Sequence, residues 1–159
     1  MKIGDPCPKI SFDNQHGKPI PFEDILGSKN IVFFFYPKNF TPGCTKEACV
    51  FRDNYTEFQQ FDCEVIGISS DSEKSHLSFS KAFNLNYHLI SDRKETLRAL
   101  FNVPKNLFGL IPGRVTFVID KKGICIGLFS SMVNSPGHIS YALKCLKKLS
   151  LIHISEPTR

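Results

Sequence analysis

The stretch that decides the fold is "IVFFFYPKNFTPGCTKEAC", residues 31–49. Its first six residues form a continuous apolar run with the length of a strand that is covered on both faces. Two prolines, Pro37 and Pro42, restrict the turn that follows, and apolar residues then recur at helical spacing over residues 45–61. The stretch therefore predicts a central strand that leads through a rigid loop into an amphipathic helix, with Cys44 in its first turn.

Strand and helix patterns alternate through the rest of the chain. After the first strand and helix they are a strand at 64–70, a helix at 72–83 with Ser72 as N-cap, a strand at 87–91, a helix at 92–101 capped by Asp92, two strands at 115–120 and 123–131, and a helix at 136–149. Alternation predicts parallel crossover units, and the late hairpin adds antiparallel strands. The expected class is α/β, with a mixed central β-sheet flanked by α-helices, which is the outline of a thioredoxin-like fold.

Length and pattern predict one domain followed by a short tail. A chain of 159 residues buries one substantial core and is too short for two ordinary domains. We expect that domain to cover residues 1–150. The last stretch, 151–159, does not continue the helical pattern before it and is predicted to lie outside the fold.

Composition excludes several classes of function. Hydrophobic residues make up 42% and charged residues 22% of the chain, which is typical of a soluble globular protein. The net charge of +5 comes from lysines and arginines that are spread along the chain, so nucleic-acid binding is not expected. No apolar run has the length of a signal peptide core or a membrane span, so we expect a cytoplasmic protein that does not bind membranes.

Cys44 and Cys49 are the candidate reactive thiols. The unpaired N–H groups and the dipole of a helix N-terminus favour an anion, so the nucleophilic thiolate is favoured at Cys44. Cys49 follows five residues later. In an intact helix the two Cα atoms would stand roughly 8.6 Å apart, whereas a disulfide needs less than about 7 Å. A bond between them therefore requires the helix to unwind locally.

The other cysteines and histidines show no pattern of a site. The chain lacks C-x-x-C and the close-spaced pairs of a zinc site, so neither a thioredoxin-type redox motif nor a metal centre is expected. We interpret Cys63, Cys125 and Cys145 as core residues, and Cys7, between two prolines, as part of an extended surface segment. Two charged residues beside the cysteine pair, Glu47 and Arg52, are expected on a solvated helix face, and His76, His88 and His138 have no predicted ligand role.

The chain resembles a known family at three places. "PKNFTPGC" fits the P-x-x-x-T-x-x-C motif of peroxiredoxins. "TPGCTKEAC", with its C-x4-C spacing, and "VPKNLFGLIPGRVTFVIDKKG" at residues 103–123 are similar to the peroxiredoxin Q subgroup, also called bacterioferritin comigratory proteins. The resemblance covers about residues 2–149.

The resemblance implies a thiol peroxidase that reduces hydrogen peroxide and organic hydroperoxides. Cys44 would be the peroxidatic cysteine, shielded by Pro37, while Thr41 hydrogen-bonds the peroxide and Arg114 stabilises the thiolate and the transition state. Cys49 would condense with the resulting sulfenic acid to an intramolecular Cys44–Cys49 disulfide. Thioredoxin or a similar dithiol reductant would then restore the enzyme. No metal, haem or flavin is implied, and a monomer is expected.

Two other classes of function and a second location stay open at this point. A general protein disulfide oxidoreductase would act on protein disulfides and hardly on peroxides. A non-enzymatic redox sensor or chaperone-like protein would show oxidation of Cys44 without turnover. "GRVTF" and its surroundings also resemble chloroplast relatives, so a plastid location is the alternative if a transit peptide has been removed.

Overall fold

The computed structural model describes residues 1–106 and 111–155. Strands in this part of the chain form a five-stranded sheet and a separate two-stranded sheet. The strands are β1 (Asn30–Phe35), β2 (Cys63–Ser69), β3 (His88–Ser91), β4 (Lys105–Asn106), β5 (Ile111–Pro112), β6 (Val115–Ile119) and β7 (Cys125–Ser130). The helices are α1 (Phe22–Ile25), α2 (Pro42–Asp53), α3 (Tyr55–Gln60), α4 (Glu73–Phe83), α5 (Thr96–Leu100) and α6 (Ser135–Ser155).

The large sheet has the order β3-β2-β1-β6-β7, so β1 lies at its centre. Parallel pairing joins β1 to β2 and β2 to β3, while β6 runs antiparallel to both β1 and β7. This arrangement confirms the predicted mixed sheet with flanking helices. Every residue of β1 is buried, since both faces of the strand are covered. The continuous apolar run of the opening stretch suits this central position.

The core consists of two apolar layers, one on each face of the sheet. Phe33 and Phe35 of β1 pack on one face against Phe101 and Phe117. The other face is covered by α2, α4 and α6, whose buried side chains surround Phe34. The alternation of side chains along β1 therefore supplies both layers from one strand.

Three predicted helices differ from those observed, two of them in the middle of the chain and the third at its end. The helix expected over 45–61 begins at Pro42 and is divided into α2 and α3 at Asn54, whose side-chain amide donates to the carbonyl of Val50 at 2.8 Å. The helix expected over 92–101 is only the short α5, because the residues before it form a turn. The carboxylate of Asp92 nevertheless accepts the N–H groups of Leu97 and Arg98 and so caps that helix.

The last helix was predicted to end at residue 149, and this boundary is wrong. α6 continues to Ser155, because the sequence contains no helix-stopping glycine or proline before Pro157. Leu151 in this extension is 66% exposed. That residues 151–159 contribute nothing to the domain stays a prediction, and residues 156–159 lie outside the described part. Within that part no helix has the length and apolarity needed to cross a bilayer.

Candidate active site

Cys44 lies in the first turn of α2, immediately after the loop that leaves the central strand. Thr41 has extended backbone angles (φ −81°, ψ 150°) and forms the N-cap, and Pro42 occupies the start of the helix. Cys44 is 1% exposed. The position agrees with the prediction, and it aims the unpaired N–H groups of the helix terminus at the region of the thiol.

Arg114 is brought to the same place by strand pairing. Antiparallel pairing of β6 with β1 sets Val115 opposite Phe35, so the residue before β6 stands beside the loop that follows β1. Nη2 of Arg114 donates a hydrogen bond to Sγ of Cys44 at 3.3 Å, and the arginine is only 4% exposed. Burial opposes the charge, but Glu47 and Cys44 hold the pKa of Arg114 above its usual value. The guanidinium therefore presents a permanent positive charge to the thiol.

Glu47 belongs to the site, contrary to the expectation of a solvated helix face. Its side chain is fully buried, and its Oε1 accepts a hydrogen bond from Nη1 of Arg114 at 2.9 Å. Burial raises the pKa of Glu47 to about 8, although Arg114 acts in the opposite direction. The sequence feature that could have indicated Glu47 is its spacing from Cys44, because a residue three positions later lies on the same face of the helix. Arg52, by contrast, is partly exposed and donates to the carbonyl of Phe83.

His138, in the first turn of α6, completes the buried group. Its Nε2 lies 2.9 Å from the carbonyl oxygen of Ser131 and therefore carries a proton, so its Nδ1 accepts from the hydroxyl of Thr116 at 2.7 Å. The same Nδ1 lies 3.6 Å from Oε2 of Glu47. Burial lowers the pKa of His138 to about 4. Nothing in the sequence indicates this contact, since the two residues meet only because α6 packs on α2.

Arg98 is a second buried arginine that the sequence did not single out. It is 3% exposed, and its Nη1 and Nη2 donate to the carbonyls of Gly113 and Tyr36 at 2.9 Å and 2.8 Å. These carbonyls directly precede Arg114 and Pro37 in the chain. Arg98 therefore joins the two backbone segments that carry predicted site residues.

A buried polar cluster stabilises the loop between β1 and α2. His76 faces the carbonyl of Ile90 with Nε2 at 3.0 Å, so its Nδ1 accepts from the side-chain amide of Asn39, also at 3.0 Å. The hydroxyl of Tyr36 donates to Oδ1 of Asn39 at 2.6 Å. Burial lowers the pKa of His76, which favours the neutral ring that this arrangement needs.

Thr41 and Pro37 lie where the sequence placed them, in this loop. Both are half-buried, and the hydroxyl of Thr41 donates to the carbonyl of Lys38 at 2.8 Å. With its proton engaged, the hydroxyl presents its lone pairs to a hydrogen-bond donor. Gly43 packs so closely that an added Cβ would stand 3.2 Å from Nη2 of Arg114.

The second candidate thiol is separated from the first. Cys49 is half-buried on the same continuous helix, about 140° around the axis from Cys44, and both thiols are free. The other cysteines lie elsewhere: Cys63 and Cys125 are buried as predicted, and Cys145 is half-buried. Cys7 was expected at the surface but is buried, because its backbone pairs with that of Gly123. In the described ranges no three His, Cys, Asp or Glu residues are placed to hold a metal ion.

Comparisons with known proteins identify the family of the chain. The model of the AhpC/TSA family matches residues 3–126. Peroxiredoxin Q, chloroplastic, from Sedum lineare is 40% identical over 146 residues, which is 92% of this chain and 78% of that protein. The structure of peroxidoxin BcpB from Mycobacterium tuberculosis is similar with a TM-score of 0.85 and 36% identity, covering 94% of this chain and 98% of that one.

A further solved structure is the bacterioferritin comigratory protein of Xanthomonas campestris, described for its alkyl peroxide reduction activity. It is 28% identical with a TM-score of 0.79, covering 89% of this chain and 92% of that one. Family model, sequence relatives and solved structures thus agree with one another and with the fold. The chain belongs to the AhpC/TSA family of peroxiredoxins, in its peroxiredoxin Q branch, and is a thiol-dependent peroxidase.

Proposed function

We propose that the enzyme works by a two-cysteine mechanism in which Cys44 attacks the peroxide. The observation that carries this proposal is the 3.3 Å contact between Nη2 of Arg114 and Sγ of Cys44 at the N-terminus of a helix. The thiolate forms an S–O bond, the O–O bond breaks, and two electrons pass from sulfur to the peroxide. The leaving hydroxide or alkoxide takes up one proton, and Cys44 becomes a sulfenic acid.

Arg114 and Thr41 are proposed to bind the peroxide during this step. A guanidinium that already faces the sulfur stabilises negative charge as it moves onto the departing oxygen. The lone pairs of the Thr41 hydroxyl accept a hydrogen bond from the peroxide, since the hydroxyl itself donates to the carbonyl of Lys38. Pro37, in the same loop, is proposed to shield the thiolate from water.

Cys49 is proposed to resolve the sulfenic acid. Its sulfur attacks Cys44, an S–S bond forms, and the S–O bond breaks with release of water. The intact α2 keeps the two residues too far apart for this bond, so the first turns of the helix have to unwind. Unwinding also breaks the hydrogen bond from Ser135 Oγ to the carbonyl of Gly43, which joins α6 to the start of α2.

The substrates proposed are hydrogen peroxide and organic hydroperoxides, and the reductant is thioredoxin or a similar dithiol protein. The alkyl peroxide activity of the Xanthomonas campestris protein supports the organic substrates. We further propose that the enzyme acts as a monomer, which sedimentation velocity of the reduced and oxidised forms would test.

Location is proposed as cytoplasmic, with the plastid as the alternative. The plastid alternative is supported by the chloroplastic relatives, among them the protein from Sedum lineare. Imaging the protein expressed from its complete gene with a C-terminal fluorescent tag would decide between the two compartments.

The test is peroxide consumption with thioredoxin, thioredoxin reductase and NADPH. Cys44→Ser should abolish turnover, whereas Cys49→Ser should consume about one equivalent of peroxide and then stop, because its sulfenic acid is not resolved. Cys145→Ser, which changes a half-buried cysteine outside the site, is the matched control and should turn over as the wild type does. Mass spectrometry should find a Cys44–Cys49 bond in the oxidised wild type.

Two outcomes would contradict the mechanism. Turnover by Cys44→Ser would mean that another residue is the nucleophile and would favour a general disulfide oxidoreductase. Oxidation of Cys44 without any turnover would favour a redox sensor.

A further inference from the structure

One buried carboxyl oxygen in the site lacks a hydrogen-bond partner. Oε1 of Glu47 accepts from Arg114, but Oε2 has no hydrogen bond within the described part of the chain. The nearest polar atom recorded for it is Nδ1 of His138, at 3.6 Å. An ionised carboxylate with an unpaired, fully buried oxygen is costly, and a protonated carboxyl group has a much smaller desolvation cost.

Hydrogen-bond geometry leaves no donor for Oε2 on the histidine side of this contact. Because Nε2 of His138 donates to Ser131, Nδ1 has no proton in the neutral ring and already accepts from Thr116. Its single lone pair is used by Thr116, so this nitrogen has no proton to offer to Oε2 at 3.6 Å. A proton on Oε2 removes the negative charge from this unpaired oxygen.

The surroundings place this proton on Glu47 and not on His138. His138 is in the first turn of α6, where the helix dipole disfavours a cation, and Arg114 adds a second positive charge nearby. The other titratable groups nearby are Cys44, which shares Arg114 with Glu47, and the hydroxyls of Tyr36 and Tyr87. Burial raises the pKa of both tyrosines, so they stay neutral.

We propose that Glu47 is protonated while Cys44 is a thiolate and gives up its proton when Cys44 loses its negative charge. In the reduced enzyme the charge of Arg114 is then available to the thiolate alone, because its other partner is neutral. After oxidation Arg114 pairs with the Glu47 carboxylate instead. Glu47 acts through Arg114 and is a positioning residue.

The proton balance of the peroxide step follows from this exchange of partners. Conversion of the thiolate to sulfenic acid releases one hydroxide or alkoxide, which needs one proton. Glu47 releases one proton as the sulfur loses its charge, so the step takes up no net proton from solution. This inference depends on the proposed role of Cys44 as the thiolate nucleophile.

Infrared difference spectroscopy of the reduced protein tests the proposal without any peroxide. The wild type should show the carbonyl stretch of a protonated, buried carboxyl group at neutral pH, and Glu47→Gln should lose it. In Cys44→Ser, which lacks the negative charge, the band should disappear at a pH at least about one unit lower than in the wild type. Cys145→Ser is the matched control and should titrate as the wild type does.

Two results would overturn the proposal: no carboxyl band in the reduced wild type, or the same titration midpoint in the wild type and Cys44→Ser. If Glu47→Gln does not fold, isotopically labelled glutamate should shift the band and assign it to a glutamate. The infrared band is measured on the reduced protein without turnover, so it does not depend on the outcome of the peroxidase assay. Failure of the proposed function is therefore distinguishable from failure of this inference.

Discussion

Replacing Arg114 with methionine should remove most of the peroxidase activity while the fold persists. Methionine keeps an unbranched apolar stem like that of arginine but has no charge and no donors. The substitution therefore removes the hydrogen bonds from Arg114 to Cys44 and to Glu47 together. Glu47 is not left as an unpaired buried anion, because burial keeps it protonated at neutral pH once the arginine is absent.

The expected loss follows from the distance between the two groups. Unit charges separated by the observed 3.3 Å attract each other by about 5 kcal/mol at an effective dielectric constant near 20. Loss of one preorganised donor to a developing anion commonly costs about 3–4 kcal/mol in the transition state. We expect kcat/KM for hydrogen peroxide to fall by about 10²–10³-fold.

Competition against a haem peroxidase for limiting hydrogen peroxide measures this rate without a tryptophan signal, which the chain does not have. Arg52→Met is the matched control. Arg52 lies on α2, the helix that carries Cys44, but it is partly exposed and donates to the carbonyl of Phe83. It should change kcat/KM by less than about twofold. A fall of less than about tenfold in Arg114→Met, with native circular dichroism, would refute the assigned role.

Three further predictions concern stability. Glu47 binds its proton up to a pH of about 8 in the folded state but only up to about 4.5 when unfolded, so its contribution to stability falls as the pH rises through this range. His138, whose pKa burial lowers from 6.5 to about 4, contributes in the opposite direction below about pH 6.5, so wild-type stability should fall between about pH 6.5 and 8. Glu47→Gln should remove this fall in urea unfolding, and an unchanged slope would contradict the prediction. The lysine of Arg98→Lys cannot reach the carbonyls of both Tyr36 and Gly113, so this variant should lose about 1–3 kcal/mol of unfolding free energy in the same assay. An unchanged unfolding free energy would mean that these two hydrogen bonds contribute little. Deleting residues 151–159 should leave the melting temperature and the turnover unchanged; a large drop in either would show that the end of α6 belongs to the domain.

Local patterns were sufficient for most of the fold. The apolar run at 31–36 predicted a central strand, and it is the third of five strands. The hairpin and the cap at Ser72 were also found, since turn and cap chemistry involves residues close in sequence. Helix ends were less accurate, because the break at Asn54 and the continuation of α6 depend on packing and on weak local preferences.

The site was predicted in part. The positions of Cys44 and Thr41 at the helix start follow from neighbouring residues, and the family resemblance indicated Arg114, which the structure places beside Cys44. Glu47 was assigned to the solvent although it is fully buried. Amphipathic patterns describe which face of a helix is apolar, and they cannot show that a charged residue on the packed face has a partner there.

The amino-acid sequence by itself therefore determined the central strand, the rigid loop, the thiol at the helix N-terminus and the family. These features depend on residues adjacent in the chain, whose propensities and spacing are visible in one dimension. Tertiary structure alone decided that Arg114, Glu47 and His138 meet around Cys44, because β6, α2 and α6 are distant in sequence and touch only when the sheet and its helices pack. Tertiary structure also decided the charges of these side chains, since burial and hydrogen-bond partners set which of them bind a proton.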